Sequence, residues 1–127
     1  IEGFWQSVGS VVKKISCVQH DAIYAAVSHI PHILSYALMA SVVNSEDSDQ
    51  KLSHVGAGFK DFTRIAASSP EMWRDISLAN KTALLKELDQ YLNLTKQLRD
   101  LIAKEDSDAL LKAFTRASAE RQKWEGR

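Results

Sequence analysis

From Ala22 to Val43 the chain carries no Asp, Glu, Lys or Arg. A helix of that length reaches across the hydrocarbon core of a bilayer. A helix apolar on every side is equally the central helix of a bundle. The contents of the run separate the two cases. His29, Pro31 and His32 lie inside it with Ser28, Ser35 and Ser41, and no Lys or Arg flank marks either end. Ala22, Ala25, Ala26, Ala37 and Ala40 let neighbouring helices approach closely. The run therefore predicts a buried bundle helix and no membrane span. Ser16 and Gln19 have the spacing of a capping box, which satisfies two N-terminal donors reciprocally, so the helix should start there. Pro31 lacks an N–H and clashes with the preceding turn, so a kink is predicted at its position.

The rest of the pattern is also helical. Asn44 to Ser53 is polar and reads as a surface loop. Ser69-Pro70-Glu71 is a helix start, with an N-cap, a proline at the first position and an acid in the first turn. Met72, Trp73, Ile76 and Leu78 follow, and Asn80 restarts the helix. From Lys81 onward Leu84, Leu88, Tyr91, Thr95, Leu98 and Ile102 recur at three- and four-residue steps, widened by Leu85, Leu92 and Leu101. Such a seam packs within one chain or against a second subunit. Lys104 to Ser107 should turn, Asp106 or Ser107 should cap a last helix, and Leu110, Leu111, Phe114 and Ala117 should form its inner face. The fold class predicted is all-α.

With 127 residues, 45% of them apolar, the chain can bury one modest core. Its 16 basic side chains are matched by 16 acidic ones, which excludes the basic excess of a nucleic-acid binder. A single cysteine, Cys17, makes no internal disulfide and points to a reducing cytoplasm. The chain opens Ile-Glu-Gly-Phe-Trp, with neither a basic leader nor a starting Met, as a processed chain or a piece of a longer one would. Glu2 to Val8 reads as the end of a helix closed by Gly9. Val11, Val12 and Ile15 then suggest a short strand with no partner in the chain, or the same face of one frayed helix.

The chemistry concentrates between Gly56 and Ile76. Gly56 and Gly58 open a short helix whose apolar side is Phe59, Phe62, Ile65 and Ala66, and Arg64 lies further along it. Free N–H groups at a helix start and a guanidinium fork suit a carboxylate or phosphate. The alternative is a glycine turn with an Asp61–Arg64 surface pair. His29 and His32 share a face on either side of Pro31. They could be polar ligand contacts or satisfied core histidines, and a proline-broken helix also frees backbone polar groups beside them. Zinc would need a third ligand at suitable spacing, and none is evident, so no metal is expected.

Three blocks in order, F-W-x-x-x-G, H-D-x-x-x-A-A-V-S-H-I-P-H and G-F-K-D-F-T-R-I-A-A-S-x-P-E-M-W-R-D-I, precede the long helix. This order, from Phe4 to Trp124, resembles the C-terminal half of prephenate dehydrogenases. The resemblance implies that residues 1–15 are the tail of an upstream nucleotide-binding domain and 16–127 a helical substrate-binding and dimerisation domain. It implies oxidative decarboxylation of prephenate, or arogenate, by a homodimer that uses NAD or NADP in tyrosine biosynthesis. By motif match Arg64 is the substrate-carboxylate ligand, and His29 and His32 are pocket residues. Gly56, Gly58, Lys60, Asp61 and Trp73 are supports. Ala57 stands where many members have Gly, and Lys60 where Arg is frequent. No G-x-G-x-x-G is present, so the catalytic residues and the cofactor site are expected in the upstream domain, and this chain alone should be inactive and bind no cofactor. A non-enzymatic helical module binding a small carboxylate, or tyrosine as a regulator, is the alternative.

Overall fold

The computed structural model describes residues 1–125, and among these there is no strand. Its contacts divide the chain after Glu87 into two units.

The first unit begins with α1, Glu2–Ser7. Gly9, at φ 83°, ends it in the left-handed region. The Gly9 N–H donates to the Gln6 carbonyl and the Ser10 N–H to the Trp5 carbonyl, both at 3.0 Å, which is the pairing of a Schellman motif. Residues 10–16 then have no regular secondary structure. The strand expected at Val11–Ile15 does not form, because no second strand is present to share its ladder.

The capping box at Ser16 does form: its N–H donates to Gln19 Oε1 at 3.0 Å and the Gln19 N–H to Ser16 Oγ at 3.2 Å. It starts α2, Cys17–Tyr24, which runs through a single π-helical turn, Ala25–His29, into α3, Ile30–Val43. The π turn is where Pro31 makes itself felt. A proline at that position cannot donate to the carbonyl four residues earlier, and its ring crowds that carbonyl. The wider turn relieves the crowding, with the Ile30 N–H reaching back five residues to the Ala25 carbonyl.

Of the long apolar run only Ala25, Ile30 and Ser35 are buried. This corrects the expectation of a central helix buried all round: Val27 is 68% exposed and Val43 48%. Within one chain α3 has neighbours on one side. The segment Cys17–Val43 is long and apolar enough to cross a membrane by length and composition alone.

The polar stretch expected as a loop contains a short helix, α4, Ser48–Ser53. An Asp47–Lys51 ion pair of 2.6 Å, one turn apart, spans its start. Then come α5, Ala57–Thr63, and a 3₁₀ turn, Arg64–Ala67. Two hydrogen bonds fasten this segment to α3: Ser35 Oγ donates to the Phe62 carbonyl at 3.0 Å, and Tyr36 Oη to the Ser68 carbonyl at 2.7 Å. Ser69 caps α6, Pro70–Ala79, by accepting from the Met72 N–H, with Pro70 in the first turn as expected. Trp73 and Leu84 complete the small core with Ala25 and Ile30.

Lys81–Ala103 forms α7, which runs across the boundary between the units. In the second unit Glu105, at φ 54°, turns the chain, and Asp106 caps α8, Ser107–Glu125, by accepting the Ala109 N–H at 3.0 Å. A groove of about 280 Å³ lies among Leu94, Leu98, Leu101, Ala113 and Phe114. Leu111 is 66% exposed and Phe114 54%, so the face of α8 expected to point inward is only partly covered. Two helices can each bury no more than one stripe against the other.

Candidate functional site

His29 ends the π turn and His32 lies in the first turn of α3, so the helix break sets both rings on one side. Trp73 of α6 meets them there. Its ring stacks on His32 with centroids 3.6 Å apart and an interplanar angle of 20°, and presents an edge to His29 at 6.0 Å. His32 Nδ1 is 3.0 Å from the Ser28 carbonyl, one turn back in the irregular stretch. A carbonyl only accepts, so this nitrogen carries the proton. A backbone acceptor one turn back thus orients this histidine. Trp73 is buried, and its Nε1 has no hydrogen-bond partner among the described residues. A recess of about 300 Å³, lined by Ile33, Tyr36, Pro70, Trp73, Arg74 and Ser77, borders the tryptophan.

Asn80, at the junction of α6 and α7, closes the cluster from the other side. Its Nδ2 donates to the Asp21 carbonyl at 2.8 Å and lies 3.3 Å from His29 Nδ1. Burial, reinforced by His20 and partly offset by Asp21, holds the His29 imidazole below its usual range, and His32 adds to the depression. Asn80 was legible in the sequence only as a helix restart. Nothing local signals a partner 51 residues away.

Arg64 opens the 3₁₀ turn after α5 and is exposed. Among the described residues it has no ion pair and no hydrogen bond, and neither has Asp61. The Asp61–Arg64 pair of the alternative reading is therefore not formed, and the guanidinium is left with its fork open. The element that carries it is held to α3 through Ser35 and Tyr36, one turn beyond His32. No hydrogen bond joins Arg64 to the histidine cluster. Lys60 is exposed as well. Gly56 is the extended N-cap of α5, with no side chain capping that end. A Cβ at Gly56 or Gly58 would meet nothing within 4 Å, so no neighbour within this chain requires either glycine. His29 and His32 bring no third metal ligand with them among the described residues.

The architecture is that of an all-helical domain with a polar cluster at the break in its longest apolar helix. The chain belongs to the prephenate dehydrogenase family: the family described as "Prephenate dehydrogenase, dimerization domain" matches residues 16–116. It is 37% identical over 116 residues to the cyclohexadienyl dehydrogenase of Zymomonas mobilis, covering 90% of this chain and 40% of that protein. It is 36% identical over 105 residues to the prephenate dehydrogenase of Bacillus subtilis, covering 82% of this chain and 28% of that one. The structure superposes, with a TM-score of 0.89, on prephenate dehydrogenase from A. aeolicus in complex with hydroxyphenyl propionate and NAD+. That match has 35% identity and covers 96% of this chain and 43% of the other. Synechocystis arogenate dehydrogenase gives the same TM-score at 25% identity, covering 97% and 45%. The chain thus spans less than half the length of each of these proteins.

Proposed function

We propose that this chain is the substrate-binding and dimerising half of a cytoplasmic prephenate dehydrogenase. The full enzyme would oxidise and decarboxylate prephenate, or arogenate, with NAD or NADP. The observation that carries the reading is Arg64, a guanidinium with no partner among the described residues, on an element fastened to the histidine-bearing helix. An open fork of that kind takes a carboxylate in a bidentate, charge-assisted contact. In this reading Arg64 fixes a substrate carboxylate and His29 and His32 supply polar contacts beside it. Trp73 holds both rings in place, and Gly56, Gly58, Lys60 and Asp61 shape the surroundings of the arginine.

The residues here do not fit a dinucleotide. Such a site needs a strand, a Gly-rich turn and a helix in sequence, and no strand is found among the described residues. The cofactor, which accepts the hydride, and the catalytic residues belong in this reading to a nucleotide-binding domain upstream, of which residues 1–15 are the tail.

The test is steady-state kinetics of the full enzyme carrying Arg64→Ala. With no partner to lose, the variant should melt within about 0.5 kcal/mol of the parent. Loss of the charged contact should cost roughly 2–5 kcal/mol in prephenate binding, seen as a raised KM. Arg64→Lys should recover part of the loss, because a point charge does not reproduce the fork. Parental kinetics in Arg64→Ala would place the substrate elsewhere.

A further inference from the structure

The positions of Asn80 and His29 define the imidazole's protonation more closely than the His29 environment alone. Asn80 Nδ2 is identified by its first partner: the Asp21 carbonyl, 2.8 Å away, has no hydrogen to give, so the amide atom facing it must be the nitrogen. That NH₂ has a second hydrogen. His29 Nδ1, 3.3 Å from the same nitrogen, faces a group that donates and does not accept. A proton on Nδ1 would set two donors against each other. We infer that Asn80 is a positioning residue that holds His29 as the neutral tautomer with its proton on Nε2.

His32 is set the opposite way. Its Nδ1 faces the Ser28 carbonyl at 3.0 Å, so in the neutral ring Nδ1 holds the proton and Nε2 is bare. The two histidines, one turn apart on the same helix break, therefore differ in what they offer: Nε2 of His29 donates, and Nε2 of neutral His32 accepts. The depressed basicity of His29, caused chiefly by burial, agrees with a ring that is not required to carry a second proton. The use of the pair by a substrate rests on the function proposed above, but the tautomers themselves exist without substrate. They can fail while the Arg64 kinetics hold, and the reverse.

The measurement is two-bond ¹H–¹⁵N correlation NMR on the ligand-free protein with ¹⁵N-labelled histidine at a pH where the rings are neutral. The chain has 4 histidines; His20→Gln and His54→Gln assign the two outside the cluster, and His32→Gln tells His32 from His29. The expected spectrum shows His29 with its proton on Nε2 and His32 with its proton on Nδ1. In Asn80→Ala the His29 pattern should move to an average of both tautomers while His32 keeps its own. A His29 ring protonated on Nδ1 in the parent would overturn the inference, and so would a pure Nε2–H tautomer that persists in Asn80→Ala. If Asn80→Ala does not fold, the parental spectrum alone decides.

Discussion

His29 is half-buried between Trp73 and Asn80, and its basicity is lowered mainly by that burial. Its folded-state pKa lies below the ordinary 6.5, so the unfolded chain binds more protons than the folded one in the interval just below that value. The contribution of His29 to stability is fully present above 6.5 and is lost as the pH falls through the folded pKa. Melting temperature measured from pH 7.5 down to pH 5 should fall less steeply in His29→Gln than in the parent. A steeper fall in the variant would reverse the assignment. His29, His32 and Trp73 were each legible in the sequence, since two histidines flanking a proline and a tryptophan in a helix are visible as residue types. The family resemblance implies that they share a pocket, but spacing alone does not show their meeting, because stacking of His32 on Trp73 joins residues from separate helices. The fate of Arg64 was likewise open. Spacing allows the Asp61 pair, and the 3₁₀ turn that begins at Arg64 leaves it unmade.

At the level of elements, the start signals of α2 and α6 were readable because a cap is local chemistry. Ser69 illustrates this. Its Oγ receives the Met72 N–H at 3.3 Å and donates to Glu71 Oε2 at 3.1 Å. Ser69→Ala should lower stability by about 1 kcal/mol, and Ser69→Asp should keep most of it, since a carboxylate accepts the same N–H and favours the positive end of the helix. Chemical denaturation of the two variants checks this, and equal losses would show that the cap is not the cause. Leu84 lies deeper, at 6% exposure, and Leu84→Ala should cost roughly 2–5 kcal/mol by leaving a cavity. A loss below 1 kcal/mol would mean that the first unit has no real core there. One expected element does not form and one unexpected element does, each for a physical reason. A strand needs a partner that spacing cannot supply, and α4 arises in a stretch whose polar composition resembles a loop but whose Asp47 and Lys51 pair across one helical turn.

For the molecule as a whole, the decisive feature is how much apolar side chain each unit leaves open. In the first unit Val18 is 79% exposed and Val27 68%; in the second Leu92 is 57% and Leu94 58%. Exposed apolar side chains mark an interaction surface where they form a contiguous face. The seam from Leu84 to Ile102 and the charge-free helix are legible in the sequence as more apolar surface than a small monomer should leave exposed, which predicts a dimer, although hydropathy alone does not say which faces the second subunit covers. In the function proposed above a second copy is the cover, in keeping with a matching family described as a dimerization domain. The direct measurement is sedimentation equilibrium of the chain at micromolar concentration in detergent-free buffer. The expected result is a soluble species of twice 14.2 kDa. A species of 14.2 kDa, or a chain that stays in solution only with detergent, would contradict it.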